Sequence, residues 1–159
     1  MTENDKGRVG DSGNLVGSEV DPSFVEDGGG IKTVRGGGKT RGWNGIRYKQ
    51  GISGKNADTK ALSMNVATIA PSGVAYAHIH DGFEVILYIL QGHLRHLYGA
   101  GLTKSIDHEA GDFIYIEAGV PHEVYNLSDS EEVVAVVSRS TADEWDKIIP
   151  YDKNKSPSS

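Results

Sequence analysis

The sequence contains no cysteine among its 159 residues. That absence excludes disulfide scaffolds, thiolate metal sites and cysteine nucleophiles together. Long hydrophobic runs are also missing, because the longest strongly apolar stretch covers only residues 85–90 and is far too short to span a bilayer. Residues 1–14 have no apolar core of the kind that a secretory signal needs. These absences predict a soluble protein of the cytoplasm with no membrane partner.

Basic residues are in the minority, since 16 Lys and Arg face 22 Asp and Glu and the formal net charge is −6. An acidic surface repels phosphate backbones, so nucleic acid is not expected as the main partner. The remaining composition, 37% hydrophobic and 24% charged, is ordinary for a globular protein. The length suits one domain with one sizeable core.

Glycine is distributed unevenly along the chain. Of the 21 glycines, 14 lie in residues 1–54 and 7 in the rest of the sequence. A glycine-rich stretch with few apolar residues does not build a core alone. We therefore predict that residues 1–45 form an arm, which drapes over the following domain or over a neighbouring subunit.

From residue 46 the pattern changes to short alternating runs separated by turn signals such as Pro71-Ser72-Gly73 and Asp81-Gly82. Many short strands at regular spacing, with no helices between them, predict an all-β antiparallel sandwich or barrel at residues 46–139. The predicted strands lie at about 62–67, 74–80, 84–91, 93–99, 104–108, 112–117, 121–126 and 131–139.

The C-terminal segment, residues 140–159, is predicted to hold a short helix and a frayed tail. Thr141 and Glu144 fit a capping box, and Ile148 and Ile149 follow as apolar helix residues. Pro150 then ends the predicted helix, because proline cannot continue it.

All six histidines fall between residues 78 and 122. His78 and His80 are two apart on a predicted strand, so both side chains leave the same face. Glu84 follows a turn, and His122 lies on a later strand that a small barrel can bring near. Neutral imidazoles with a carboxylate form a ligand set for a divalent transition metal. The spacing of His78 and His80 alone is consistent both with a metal site and with ordinary structural histidines. His93, His96 and His108 do not have the spacing of metal ligands.

Two stretches resemble the paired motifs of the cupin family. Residues 73–92, GVAYAHIHDGFEVILYILQG, resemble the first motif, with its His-x-His followed by Glu and a closing glycine. Residues 111–126, GDFIYIEAGVPHEVYN, resemble the second, with Gly111, Gly119, His122 and Asn126 in register. The chain departs from the pattern in three places: four residues precede His78 after Gly73, seven separate Glu84 from Gly92, and Glu replaces Pro at position 117.

The resemblance implies a cupin double-stranded β-helix, a small jelly-roll barrel that holds one metal ion inside. Carried over residue by residue, it implies His78, His80, Glu84 and His122 as the metal ligands. One motif pair implies a monocupin, and such cupins commonly form homodimers. Similarity to the manganese cupins of the oxalate-degrading group implies manganese first, with iron and then nickel as alternatives.

Two functions remain open at this point. The first is an enzyme of the decarboxylase, dioxygenase or isomerase class, acting on a small carboxylate, keto or enol metabolite that chelates the metal. The second is a non-catalytic cupin that binds a metal and a small molecule for sensing or storage. Tyr76, two residues before His78 and predicted to share its inward face, is the candidate catalytic proton donor.

Overall fold

The computed structural model describes residues 25–143 and 147–154. Short β-strands dominate these residues, as the alternating pattern predicts. The strands are β1 (Val25–Asp27), β2 (Lys32–Val34), β3 (Thr40–Trp43), β4 (Ile46–Ile52), β5 (Ser63–Ile69), β6 (Val74–His80), β7 (Val85–Gln91), β8 (His93–Tyr98), β9 (Lys104–Glu109), β10 (Phe113–Ile116), β11 (His122–Asn126), β12 (Val133–Arg139) and β13 (Ile148–Pro150). One four-residue helix, α1 (Gly54–Ala57), and two short 3-10 turns at Arg35–Gly37 and Ala100–Leu102 lie between them.

The strands form two large antiparallel sheets and one separate hairpin. One sheet has the order β10-β7-β12-β5-β4-β3, and the other has the order β13-β6-β11-β8-β9, while β1 pairs with β2. Every strand predicted within the barrel is present, and its ends agree with the prediction to within two residues. The predicted all-β antiparallel architecture is therefore confirmed.

The core lies between the inner faces of the two large sheets. It is built by strict alternation, as in β12, where Val133, Ala135 and Val137 are buried and Val134 and Val136 are only half-buried. Ile89 of β7 is part of this core and is completely inaccessible to solvent. Burying a side chain of this size contributes about 1.5–3 kcal/mol, so this apolar interior is the main source of the barrel's stability.

The strand β7 is apolar on both faces, and its orientation could not be predicted from alternation. Ile86, Tyr88 and Leu90 lie on the outer face of the sheet. Val85 and Ile89 occupy the inner face instead.

The end of the glycine-rich segment is part of the sheet. Residues 40–43, which the sequence assigns to the arm, form the edge strand β3, and Trp43 packs in the core. Asn44 and Gly45 make the turn into β4, both with φ near +55° to +81°. Gly45 is required there, because a Cβ atom would lie 1.9 Å from the Val74 carbonyl oxygen. Residues 1–24 of the predicted arm lie outside the described residues.

The C-terminal helix prediction is wrong where the structure describes it. Ile148–Pro150 forms β13, which pairs with β6 in the register Ile148 with His80 and Pro150 with His78. Two further backbone bonds extend the ladder, from Asp81 N to Lys147 O (2.7 Å) and from Tyr151 N to Ala77 O (3.0 Å). The free edge of β6 offers these tertiary bonds, which override the weak local helix signal. Residues 144–146, including the capping Glu144, lie outside the described residues.

No helix among the described residues is long and apolar enough to cross a membrane.

Candidate metal centre

Three of the four predicted ligands converge on one point inside the barrel. His78 and His80 extend inward from β6, and His122 begins β11, where it pairs directly with His78. The ring centroids are 4.3 Å apart for His78 and His122, 4.7 Å for His80 and His122, and 5.0 Å for His78 and His80. One ligand nitrogen from each ring lies within 4.8 Å of the other two. The three buried imidazoles together can hold a metal ion.

Backbone carbonyls fix the orientation of two of these rings. His78 Nδ1 donates to Tyr76 O at 2.7 Å, and His122 Nδ1 donates to Val120 O at 2.9 Å. Because a carbonyl oxygen can only accept, the ring proton belongs on Nδ1 in both residues, and Nε2 keeps its lone pair. Asn44 supports the first contact, since its Nδ2 donates to the same Tyr76 oxygen at 2.8 Å. This arrangement is typical of metal-ligating histidines, whose second nitrogen is held by an outer partner.

The protonation state of the cluster also suits a metal. Burial, followed by the neighbouring His122, lowers the pKa of His78 to about 3, and the same two causes lower the pKa of His80 still further. Burial likewise lowers the pKa of His122, against the opposing effect of its bond to Val120. All three imidazoles are therefore neutral at pH 7, which is the form that binds metals. His80 Nδ1 is buried and has no hydrogen-bond partner among the described residues.

The fourth predicted ligand, Glu84, does not join the cluster, and that prediction is wrong. Its side chain is exposed, and its Oε1 accepts a hydrogen bond from the Tyr115 hydroxyl at 2.5 Å on the outer face. The inward positions on either side belong to Phe83 and Val85. The seven-residue spacing to Gly92 is accommodated by a bulge at Leu90, where the pairing of β7 with β12 shifts by one residue. An extra residue reverses the alternation, which places Glu84 outside.

Tyr76 is also outside, with 59% of its surface exposed, so the prediction that it shares the inward face of His78 is wrong. The cause is a second bulge: between His122 and Val124 the pairing of β11 with β6 shifts by one residue. The extra residue lies between Ala75 and His78, and Glu123 Oε2 accepts from Ala77 N there at 3.1 Å. The backbone carbonyl of Tyr76 contributes to the site, whereas its phenol does not.

Two cavities adjoin the cluster. The inner cavity, about 60 Å³, lies within the core and is lined by all three clustered histidines. The outer cavity, about 480 Å³, opens between β9 and β10 and is lined by side chains that include Phe113 and Tyr115. His96 and His122 line both cavities, so the two spaces adjoin at these rings.

Four side chains near these cavities were not predicted as site residues. His96 is buried with both ring nitrogens unpartnered among the described residues, and its ring is 5.1 Å from that of His108. Arg139 and Tyr48 line the inner cavity from β12 and β4. The alternation of each strand carries a signal for them, because Leu94 and His96, like Val137 and Arg139, occupy every second position on one face.

Comparisons with known proteins agree with the fold. A cupin domain model matches residues 65–138, whereas no curated protein matches the chain. An oxalate oxidase structure superposes with a TM-score of 0.57 and 23% identity over 67% of this chain and 55% of its own. An oxalate decarboxylase of Lactobacillus farciminis gives 0.58 and 21% over 66% of this chain and 31% of its own. A predicted oxalate decarboxylase of Thermotoga maritima gives 0.53 and 20% over 60% of this chain and 80% of its own.

The chain spans about half the length of the oxalate oxidase that it matches. Within that part, the matched domain contains both strands that carry the histidine cluster, β6 and β11. Residues 65–138 of the chain therefore form a single cupin domain.

Proposed function

We propose that this protein is a metal-dependent monocupin enzyme that acts on a small, metal-chelating carboxylate, keto or enol metabolite. The observation that carries the proposal is the convergence of three neutral, buried imidazoles, those of His78, His80 and His122, at the wall of an internal cavity. Burying three polar rings at one point is costly unless they share a partner, and a divalent cation is such a partner.

The proposed ligand set is three histidines without a carboxylate. When bound, the ion supplies Lewis-acid polarisation of a substrate oxygen and, for a redox-active metal, exchange of electrons. The Bacillus subtilis oxalate decarboxylase, a structural neighbour at 18% identity, has Mn(II) centres. We therefore propose manganese as the first candidate for this site. Iron and nickel also suit imidazole ligands, and zinc does so in an open three-histidine site.

The chain's own residues would bind the ion, orient the ligand rings and shield the reacting atoms from water. Hydrogen bonds to Tyr76 O and Val120 O orient two of the ligand rings. The rest of the inner cavity is mostly apolar, with walls that include Ile46, Leu94 and Val124, and such walls exclude bulk water from the reacting atoms. The outer cavity, about 480 Å³, has room for a small metabolite and shares His96 and His122 with the inner cavity.

Small carboxylates are the substrate class that the neighbours suggest. Glycolate is bound by an oxalate oxidase at 24% identity, and formate by the Lactobacillus farciminis oxalate decarboxylase. We extend only the chemical class to this chain. We also propose that the protein is a homodimer of the cytoplasm.

The non-catalytic alternative is favoured by one specific observation. With the Tyr76 phenol on the outside, the predicted proton donor is absent from the centre. A cupin that captures a metal-bound carboxylate for sensing or storage needs no such donor.

Metal quantification followed by an activity screen tests the proposal. Protein expressed in balanced-metal medium should contain one first-row ion per chain, and the double variant His78→Ala/His122→Ala should contain almost none. The metal-loaded protein is then incubated with small carboxylates and keto acids, and turnover is followed by NMR. Binding without turnover of any of them would favour the sensing or storage function, and absence of metal would contradict both functions.

A further inference from the structure

The inward direction of two clustered histidines depends on the bulge in β6. Ala75, His78 and His80 all line the inner cavity. Regular alternation from Ala75 would place residues 77 and 79 inside the barrel and both histidines outside it. The pairing with β11 instead shifts between Ala75 and His78, and the extra residue turns the two imidazoles inward. Any contact that holds this bulge therefore also holds the two rings in place.

Glu123 supplies the contact that the bulge lacks. The extra residue of a bulge has no partner across the ladder. The Ala77 amide nevertheless donates to Glu123 Oε2 at 3.1 Å. Glu123 lies on the outer side of β11, because its neighbours His122 and Val124 line the inner cavity. One carboxylate therefore connects the backbone beside His78 with the backbone beside His122.

The C-terminal segment holds this carboxylate in position. The Glu123 side chain is only 5% exposed, and its Oε1 accepts hydrogen bonds from Lys153 Nζ at 3.1 Å and from the Tyr125 hydroxyl. Tyr151 N donates to Ala77 O at 3.0 Å, so both backbone groups of Ala77 have partners. A buried carboxylate is costly without such donors. The ion pair with Lys153 therefore stabilises the position from which Glu123 holds the bulge.

We propose that Glu123 is a positioning residue of the metal centre, whose carboxylate holds the bulge that directs His78 and His80 inward and is itself held by Lys153. This inference rests on the proposed metal function. Glu123 lies on the outer side of its strand and acts on the centre through the backbone of β6. Loss of an outer partner that orients ligand histidines typically weakens metal binding about tenfold to a hundredfold.

Zinc binding to the full-length protein, measured by competition with a chromophoric chelator, tests the assignment. Glu123→Ala should raise the zinc dissociation constant about tenfold to a hundredfold. Glu123→Gln keeps an oxygen for the Ala77 amide and should lose less affinity.

Asn126→Ala is the matched control. It also removes a buried polar side chain of β11, which donates to three carbonyl oxygens at the other end of the strand, and it should bind zinc as the wild type does. The visible spectrum of the cobalt-loaded protein reports the ligand geometry rather than the stability of the fold. It should change in Glu123→Ala and stay the same in Asn126→Ala.

Lys153→Met guards against variants that fail to fold, because it alters a half-exposed side chain. In the metal-free wild type the Ala77 amide should be protected from hydrogen exchange. Lys153→Met should speed that exchange about threefold or more, and Lys153→Arg should restore the protection.

Wild-type zinc affinity in a folded Glu123→Ala protein, or an Ala77 amide that exchanges freely in the wild type, would overturn the assignment. If Glu123→Ala does not fold, unchanged exchange in Lys153→Met would overturn it. If the wild type binds no metal, the proposed function fails. Protection of the Ala77 amide that depends on Glu123 or Lys153 would then still support the role of the carboxylate at the bulge, and protection that depends on neither would overturn it.

Discussion

His122 and His78 face each other across the antiparallel pair β11 and β6, with their ring centroids 4.3 Å apart and each Nδ1 bound to the carbonyl two residues earlier. The local geometry of the two rings is the same although they lie in different strands. Both therefore direct Nε2 at one centre, and this relationship underlies the predictions about metal binding.

Replacing His122 by alanine removes one of three ligands and should reduce the metal content to a small fraction of the wild-type value. The measurement is elemental analysis after dialysis against a weak chelator. His108→Ala is the matched control, because His108 lines only the outer cavity and should leave the metal content unchanged. Equal metal loss in both variants would contradict the assignment of the centre.

Glu84→Gln should leave the metal content unchanged, since Glu84 bonds the Tyr115 hydroxyl on the outer face and lies outside the cluster. The metal dissociation constant of this variant, measured by competition with a chromophoric chelator, is expected to equal that of the wild type. A substantial loss of affinity would show that the carboxylate turns inward when the metal binds.

Asn44→Gly should weaken metal binding about tenfold, because it removes the side chain that holds Tyr76 O and lies 3.3 Å from His78 Nδ1. Glycine is the suitable replacement, as Asn44 has a φ of 55° that glycine adopts without strain. The same competition assay measures the effect. Asn154→Gly, at an exposed position, should have none, and an unaffected Asn44→Gly protein would exclude this supporting role.

The apoprotein should lose stability as the pH falls below 6.5. In the unfolded chain each imidazole takes up a proton near that pH, whereas burial lowers the pKa of His78 and of His96 to about 3 in the folded state. The unfolded state therefore binds more protons between pH 6.5 and 3. The free energy of unfolding falls across this window by up to about 1.4 kcal/mol per pH unit for each such histidine.

Urea unfolding of the metal-free protein at several pH values checks this expectation. His96→Gln should make the pH dependence shallower by the contribution of one histidine. His93→Gln removes a surface ring, with 62% of its side chain exposed, and should leave the slope as it is. A slope that His96→Gln does not alter would show that this ring is accessible to protons in the folded protein.

The predicted homodimer has a suitable surface on the outer face of the six-stranded sheet. Phe113 is 77% exposed there, and Ile86, Leu90 and Tyr115 lie exposed on the same two adjacent strands. A contiguous exposed apolar patch is typical of a protein–protein contact. We expect a dimeric mass in solution at micromolar concentration, and we expect residues 1–45 to contribute to the contact.

Light scattering after gel filtration measures that mass. Phe113→Ser/Ile86→Ser should raise the dimer dissociation constant about tenfold or more. Leu127→Ser, at an exposed position directly after β11 of the five-stranded sheet, should not. A monomeric wild type would contradict the prediction.

The strand positions and the three clustered histidines were predictable from the sequence because both depend on local spacing. Gly73, Gly92 and Gly111 separate short alternating runs, and His78 and His80 share a face whatever the sheet does around them. The pair Asn44-Gly45 is also a strong hairpin signal, and it indicates the paired strands β3 and β4 on either side of the turn.

The orientations of Tyr76 and Glu84 were not predictable in this way. One bulge separates Tyr76 from His78, and another separates Glu84 from Gly92. One extra residue places every side chain beyond it on the opposite face of the sheet. The bulge at Ala77 is fixed by the side chain of Glu123, 46 residues away in the sequence, and no local pattern reports such a contact. Arg139 was missed for a different reason, because a charged residue at the end of a strand is usually exposed.

The strand β13 has a consequence for how molecules of this protein meet one another. It covers the edge of β6, is only three residues long and ends in Pro150, which has no N–H group. Unpaired donors and acceptors on a sheet edge act as a template for strands of other molecules, and short strands with proline weaken that template. The five-stranded sheet is therefore protected from edge-to-edge growth on the side of the strand that carries His78 and His80.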